Sequence, residues 1–122
     1  MELPVKKKHW IDWSAAENRI QFLVKQICEF EQRENFLFEN IYGIPRGGLY
    51  LAVRLSYLLK RPLIVNQNEI EKLTLIVDDC TNTGRTLSNY KEFNTLVLVH
   101  RKNSSVEPTF YGFSTNEEVN YF

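Results

Sequence analysis

Apolar residues recur at intervals of three and four from Ala16 through Ile20, Leu23, Val24 and Ile27 to Phe30. Glu17, Arg19, Lys25, Gln26 and Glu29 fall on the opposite side. That spacing predicts an amphipathic helix running to about Gln32. Its start is marked twice: Ser14 stands three residues before Glu17, the spacing of a capping box, and Asp12 is a competing N-cap. The lead-in from Lys6 to Trp13 has no period and reads as irregular, with Trp10 and Trp13 anchoring the helix to the body. The pattern then changes. Asn40 to Ile44 reads as a strand, and Leu49 to Leu59 is apolar almost all round, the signature of a helix buried between layers. Lys60-Arg61-Pro62 ends that helix, because proline disfavours the helical region in the residue before it.

Leu63-Ile64-Val65 is a second short strand, and Asn66 to Lys72 is a polar connection. Leu73 to Val77 is apolar and β-branched and bounded by polar sequence, a short buried strand. Arg85 to Tyr90 predicts a helix of about one or two turns. Thr95 to Val99 is a strand, Arg101 to Pro108 a loop, Phe110 to Gly112 a last short strand, and 116–122 a polar, then aromatic, terminus. Strands alternating with helices across short connections predict an α/β fold. The expected form is a single doubly wound, mainly parallel sheet flanked by helices, with right-handed crossovers. The length suits one domain over 1–122. In such sheets ligands bind at the carboxyl ends of strands, where the strand order reverses.

Composition changes this picture little. Apolar residues make up 43% and charged residues 25%, an ordinary globular balance. Net charge is zero and the pI is about 6.7, so no general electrostatic affinity for nucleic acid is expected. The basic cluster Lys6-Lys7-Lys8 reads as a solvated tail. Met1 to Pro4 lacks the apolar core of a signal peptide and no apolar run approaches a membrane span, so a cytoplasmic protein without membrane contact is expected. Cys28 and Cys80 form neither a disulfide framework nor a metal spacing, and each reads as a packing side chain. His9 and His100 are isolated, with nothing marking either as a ligand or a base.

Candidate chemistry gathers in two stretches. After the Leu73–Val77 strand come Asp78 and Asp79, then Thr81, Asn82, Thr83, Gly84, Arg85 and Thr86, leading into the predicted short helix. Backbone N–H groups and threonine hydroxyls in such a turn can surround a phosphate, and a helix start favours its charge. The two carboxylates can accept hydrogen bonds from a pair of sugar hydroxyls or attract a divalent cation through water. The second stretch, Pro45-Arg46-Gly47-Gly48, follows the Asn40–Ile44 strand. Paired glycines let backbone approach an anion, and Arg46 offers a forked, permanently charged donor set. If the two strands are neighbours, both turns meet at one site.

The segment from Val77 to Thr86 resembles the phosphoribosyl-pyrophosphate motif of the type I phosphoribosyltransferases: two apolar residues, two acidic ones, a short variable step, then Thr-Gly-x-Thr. Gly43 to Gly48 is similar to that family's pyrophosphate loop. Of its members, the chain is most similar in pattern to the xanthine-guanine and other 6-oxopurine transferases. The resemblance implies transfer of a 5-phosphoribosyl group from phosphoribosyl pyrophosphate to a base, a purine by this pattern, with release of pyrophosphate and with Mg²⁺ as cofactor. It further implies that Asp78 and Asp79 hold the ribose and, through water, the metal. Residues 81–86 would cradle the 5-phosphate, and Arg46, Gly47 and Gly48 would line the pyrophosphate. Lys102, after the Thr95–Val99 strand, would donate to the exocyclic oxygen of the base. Tyr121 or Phe122 would replace the family's stacking tryptophan.

Three departures accompany the resemblance. Asn82 stands where 6-oxopurine transferases carry an aspartate facing the purine, and an asparagine shuttles no proton at neutral pH. The 66–72 connection is too short for the long mobile loop that covers the family's pyrophosphate. The Trp and Pro-Trp of the family's base-stacking end are absent from 118–122. These departures leave a second reading open, a non-catalytic protein binding phosphoribosyl pyrophosphate or a nucleotide on the same fold. A homo-oligomer whose neighbouring subunit covers the site is compatible with either.

Overall fold

In the computed structural model, residues 8–81, 84–115 and 118–121 are described, with backbone alone for 8–11 and 118–121. The order is β1 (Lys8–Ile11), α1 (Trp13–Glu34), β2 (Asn40–Gly43), α2 (Gly47–Leu59), β3 (Leu63–Ile64), β4 (Thr74–Cys80), β5 (Thr95–Arg101), β6 (Phe110–Thr115) and β7 (Glu118–Tyr121). Short 3₁₀ turns lie at Gln67–Glu69 and Leu87–Tyr90. β3-β2-β4-β5-β6 form one sheet, parallel at each pairing. β1 and β7 form a separate parallel ribbon.

Local chemistry sets the helix ends. The Asp12 carboxylate accepts from the Ala15 N–H at 2.8 Å, so Asp12 rather than Ser14 is the N-cap and Ser14 lies within the first turn. Asn35 takes the left-handed conformation at φ 59° and turns its N–H back to the Glu31 carbonyl, which carries α1 to Glu34, past the expected Gln32. α2 starts at Gly47, two residues before the apolar run, and ends on a left-handed Lys60. Both helices pack on one face of the sheet. Ile20, Leu23 and Ile27 of α1 and Leu51, Leu55 and Leu59 of α2 meet Ile41, Leu75, Val77, Leu96 and Phe110. Each such side chain contributes roughly 1.5–3 kcal/mol on burial. Cys80 packs against this core, as read from the sequence, whereas Cys28 is exposed on α1.

The other face carries a thinner layer. Tyr42, Ile44, Ile76, Leu87 and Val97 form a second cluster, covered by Ile70, Tyr90, Phe93, Val106 and Tyr111 from turns and loops. The expected helix at 85–90 is the 3₁₀ turn Leu87–Tyr90 instead. Leu87 alone is buried there, while Ser88 spends its hydroxyl on the Arg85 carbonyl, a local bond that competes with helix. One further expectation is corrected. The lead-in is not irregular throughout, since β1 pairs with β7 from Lys8↔Glu118 to Ile11↔Tyr121. Trp13 meets Tyr50 of α2 edge-on at 4.9 Å, as an anchor would.

Candidate active site

The sheet order answers the question the sequence left conditional. β2 and β4 are neighbours, with Gly43 opposite Val77. The chain leaves β2 through α2 to β3 on one side and returns to β4 on the other, so the strand order reverses between β2 and β4. The turn after β2 bends over the end of β4: Ile44 N–H donates to the Val77 carbonyl at 2.8 Å, and Gly48 N–H to the Ile44 carbonyl at 2.8 Å. A Cβ on Gly47 would stand 2.5 Å from the Asp79 carboxylate, and one on Gly48 would overlap the Val77 carbonyl. The glycines are what let the two turns touch. Arg46 is exposed at the tip, with no ion pair among the described residues.

β4 runs through the carboxylates rather than ending before them, because pairing with β5 continues through Asp78↔Val97 to Cys80↔Val99. Asp78 is 7% exposed and Asp79 half-buried. Burial pushes the Asp78 carboxyl up to about 7, with the Asp79 side chain adding to the shift and the Asp79 N–H, donating to Asp78 Oδ1 at 2.8 Å, opposing it. A protonated acid and a carboxylate side by side can both receive and donate hydrogen bonds, which suits a pair of hydroxyls. Among the described residues no group of three or more His, Cys, Asp or Glu side chains could hold a metal. A cation here would need the ligand's own oxygens.

Thr81 differs from expectation. Its hydroxyl is not turned to a phosphate: it is buried, accepts from the Arg101 N–H at 2.7 Å and lies 3.3 Å from His100 Nδ1. Gly84 is left-handed at φ 85°, and a Cβ there would meet Ser105 Oγ at 2.7 Å and Val106 N at 2.9 Å. Arg85 and Thr86 are exposed. Asn82, Thr83 and Phe122, and the Tyr121 side chain, lie outside the described residues. The four-residue 3₁₀ turn after Thr86 is too short to supply the helix N-terminus expected to favour a phosphate charge. Lys102, exposed just past β5, holds its N–H on the Thr115 carbonyl at 3.0 Å, tying the ends of β5 and β6. His100 and Ser105, which lie against Thr81 and Gly84, were not marked by the sequence. One histidine after an apolar strand carries no signal of which loop it will meet.

No family model and no curated protein matches the sequence. Solved structures do match. A purine phosphoribosyltransferase from Pyrococcus horikoshii Ot3 superposes with a TM-score of 0.77 at 25% identity, over 95% of this chain and 93% of that one. The Helicobacter pylori xanthine-guanine-hypoxanthine phosphoribosyltransferase gives 0.76 at 18%, over 94% and 90%. A hypothetical protein from Neisseria gonorrhoeae with bound ppGpp gives 0.70 at 16%, over 98% and 90%. The chain has the type I phosphoribosyltransferase fold. Within that class its likeness runs to the purine and xanthine-guanine transferases.

Proposed function

We propose that the protein transfers a 5-phosphoribosyl group from phosphoribosyl pyrophosphate to a 6-oxopurine, releasing pyrophosphate. The observation that carries this reading is the contact of Gly47 with the Asp79 carboxylate at the β2–β4 switch point. It sets a cationic, glycine-lined turn beside a carboxylate pair, so a pyrophosphate and the ribose that bears it fit side by side. In this reading Arg46, Gly47 and Gly48 line the pyrophosphate, and Asp78 and Asp79 hold the ribose hydroxyls. Asp78 and Asp79 would hold Mg²⁺ through water, and the ion would supply charge neutralisation for the leaving pyrophosphate. The breaking bond at the anomeric carbon leaves positive charge on the sugar, which a carboxylate stabilises. The Thr81–Thr86 turn takes the 5-phosphate, and Lys102 the base oxygen.

The second reading, a protein that binds such ligands without turning them over, is favoured by one feature. Between Ile64 and Thr74 the chain has only a 3₁₀ turn and coil, with no segment long enough to cover the pyrophosphate. The Neisseria protein of this fold was solved with ppGpp, and a Schistosoma mansoni hypoxanthine-guanine transferase with IMP, so purine nucleotides fit the fold in both readings. The deciding experiment supplies phosphoribosyl pyrophosphate and Mg²⁺ with hypoxanthine, guanine or xanthine and follows pyrophosphate release. Release with at least one base is expected. Saturable binding without release selects the second reading, and no binding at all removes both.

A further inference from the structure

We infer that His100 is a positioning residue for the phosphate turn, acting through the Thr81 hydroxyl. Thr81 opens that turn, and its backbone and side chain are both fastened to β5. Its N–H donates to the Val99 carbonyl at 3.2 Å, and its Oγ accepts from the Arg101 N–H at 2.7 Å. With one lone pair of the oxygen taken by Arg101, the hydroxyl proton can point to His100 Nδ1, 3.3 Å away. His100 is buried, lies 5.2 Å from the Tyr111 ring, and is held below its ordinary pKa by that burial, against the Glu107 charge. A neutral imidazole with Nδ1 unprotonated is the acceptor such a hydroxyl needs. The same turn is pressed from outside by Ser105 and Val106 at Gly84. Gly84 N–H closes back on the Thr81 carbonyl at 2.5 Å, so Thr81 is the fixed end from which the turn is built. Losing the Nδ1 acceptor leaves the buried Thr81 hydroxyl proton without a partner and weakens one of the ties that hold the start of the turn.

This inference rests on the reading of residues 81–86 as the phosphate site, and the test separates the two. Binding of ribose 5-phosphate is measured by calorimetry for the wild-type chain and for His100→Asn, His100→Gln, His100→Phe and Thr81→Val. Asparagine places an acceptor where Nδ1 stands, whereas glutamine reaches the Nε2 position and phenylalanine keeps only the ring packing. His100→Asn is expected to stay within about twofold of wild type, and His100→Gln and His100→Phe to lose about fivefold, the scale of one net hydrogen bond. Thr81→Val combined with His100→Phe should bind no worse than Thr81→Val alone, since both act through one hydroxyl. Equal losses in the asparagine and glutamine variants would reduce His100 to packing and overturn the inference, as would additive losses in the double variant. If His100→Phe does not fold, the asparagine–glutamine pair decides alone. Wild-type binding with undiminished binding by His100→Gln overturns this inference only, whereas a wild-type chain that does not bind ribose 5-phosphate overturns it together with the proposed function.

Discussion

Two carboxylates are buried at opposite ends of the sheet, and they are treated differently. Glu31, 3% exposed near the end of α1, receives both guanidinium nitrogens of Arg61, at 2.6 and 3.0 Å, and the Phe38 N–H at 2.7 Å. Arg61 also donates to the Phe38 carbonyl at 3.0 Å, so one ion pair ties the last turn of α1, the entry to β2 and the exit of α2. Asp78, 7% exposed at the carboxyl end of β4, pairs with no cation among the described residues, and its neighbour is a second carboxylate. A buried charge whose partners are complete serves the fold, and one left without a counter-charge is poised for a ligand.

Breaking the satisfied end should have the largest effect. Glu31→Ala leaves the partly buried Arg61 guanidinium without its counter-charge, held only by the Phe38 carbonyl, and the Phe38 N–H without its acceptor. Removing one partner of a buried pair costs about 3–5 kcal/mol. Urea unfolding should show that loss, with binding of phosphoribosyl pyrophosphate by the remaining folded protein unchanged. A stability within about 0.5 kcal/mol of wild type would mean that the bracket is decorative.

The unsatisfied end should respond in the opposite sense. Asp78 has a folded pKa of about 7 against an ordinary 3.8. Between those values the folded chain holds a proton that the unfolded chain has released. Its contribution to stability is therefore complete below pH 3.8 and is lost as pH rises through 7. The loss is at most about 4 kcal/mol, since each unit is about 1.4 kcal/mol and water at the strand end relaxes part of it. Asp78→Asn should flatten that slope and make the ligand-free protein more stable at pH 8, while keeping an oxygen for the Asp79 N–H. Parallel stability–pH curves for wild type and Asp78→Asn would refute the perturbed carboxyl.

How much of this could be read in the sequence follows from what each contact requires. β4 and α2 declare themselves through the run of apolar and β-branched residues at Leu73–Val77 and the mostly apolar stretch Leu49–Leu59. The meeting of the two turns was legible only on the condition that their strands are neighbours, and the β2–β4 pairing is what sets Gly47 against Asp79. The β1–β7 ribbon was not legible: each strand is four residues long and its partner lies at the far end of the chain. The turn after Thr86 was read as helix because its residues permit one, but Leu87 alone anchors it to the core. Thr81 was misjudged in direction, since its identity fits a phosphate contact and a bond to His100 equally well. Only the β4–β5 register chooses between them.

The carboxylate pair offers the next test in size. Asp78→Asn with Asp79→Asn should weaken ribose 5-phosphate binding by about 1.5–3 kcal/mol, the scale of one charge-assisted hydrogen bond, from Asp79, with the fold intact. Unchanged affinity in calorimetry would detach the pair from the ribose and remove the contrast with Glu31.

Arg46 gives the smallest effect and the sharpest discrimination. It stands exposed on the β2 side of the switch point, where it supports no packing, so Arg46→Ala should leave unfolding in urea unchanged. In the proposed reading a pyrophosphate on the anomeric carbon reaches that side, whereas the 5-phosphate of a nucleotide does not. Losing one charged donor should cost phosphoribosyl pyrophosphate about 1.5 kcal/mol, the low end for a charged hydrogen bond because the group is solvated. A nucleoside 5-monophosphate such as IMP should lose nothing measurable. Raising the salt concentration should narrow the difference between variant and wild type, since an exposed guanidinium is screened. Equal losses for both ligands would place Arg46 on the 5-phosphate, and the two turns would then have to exchange the roles assigned to them.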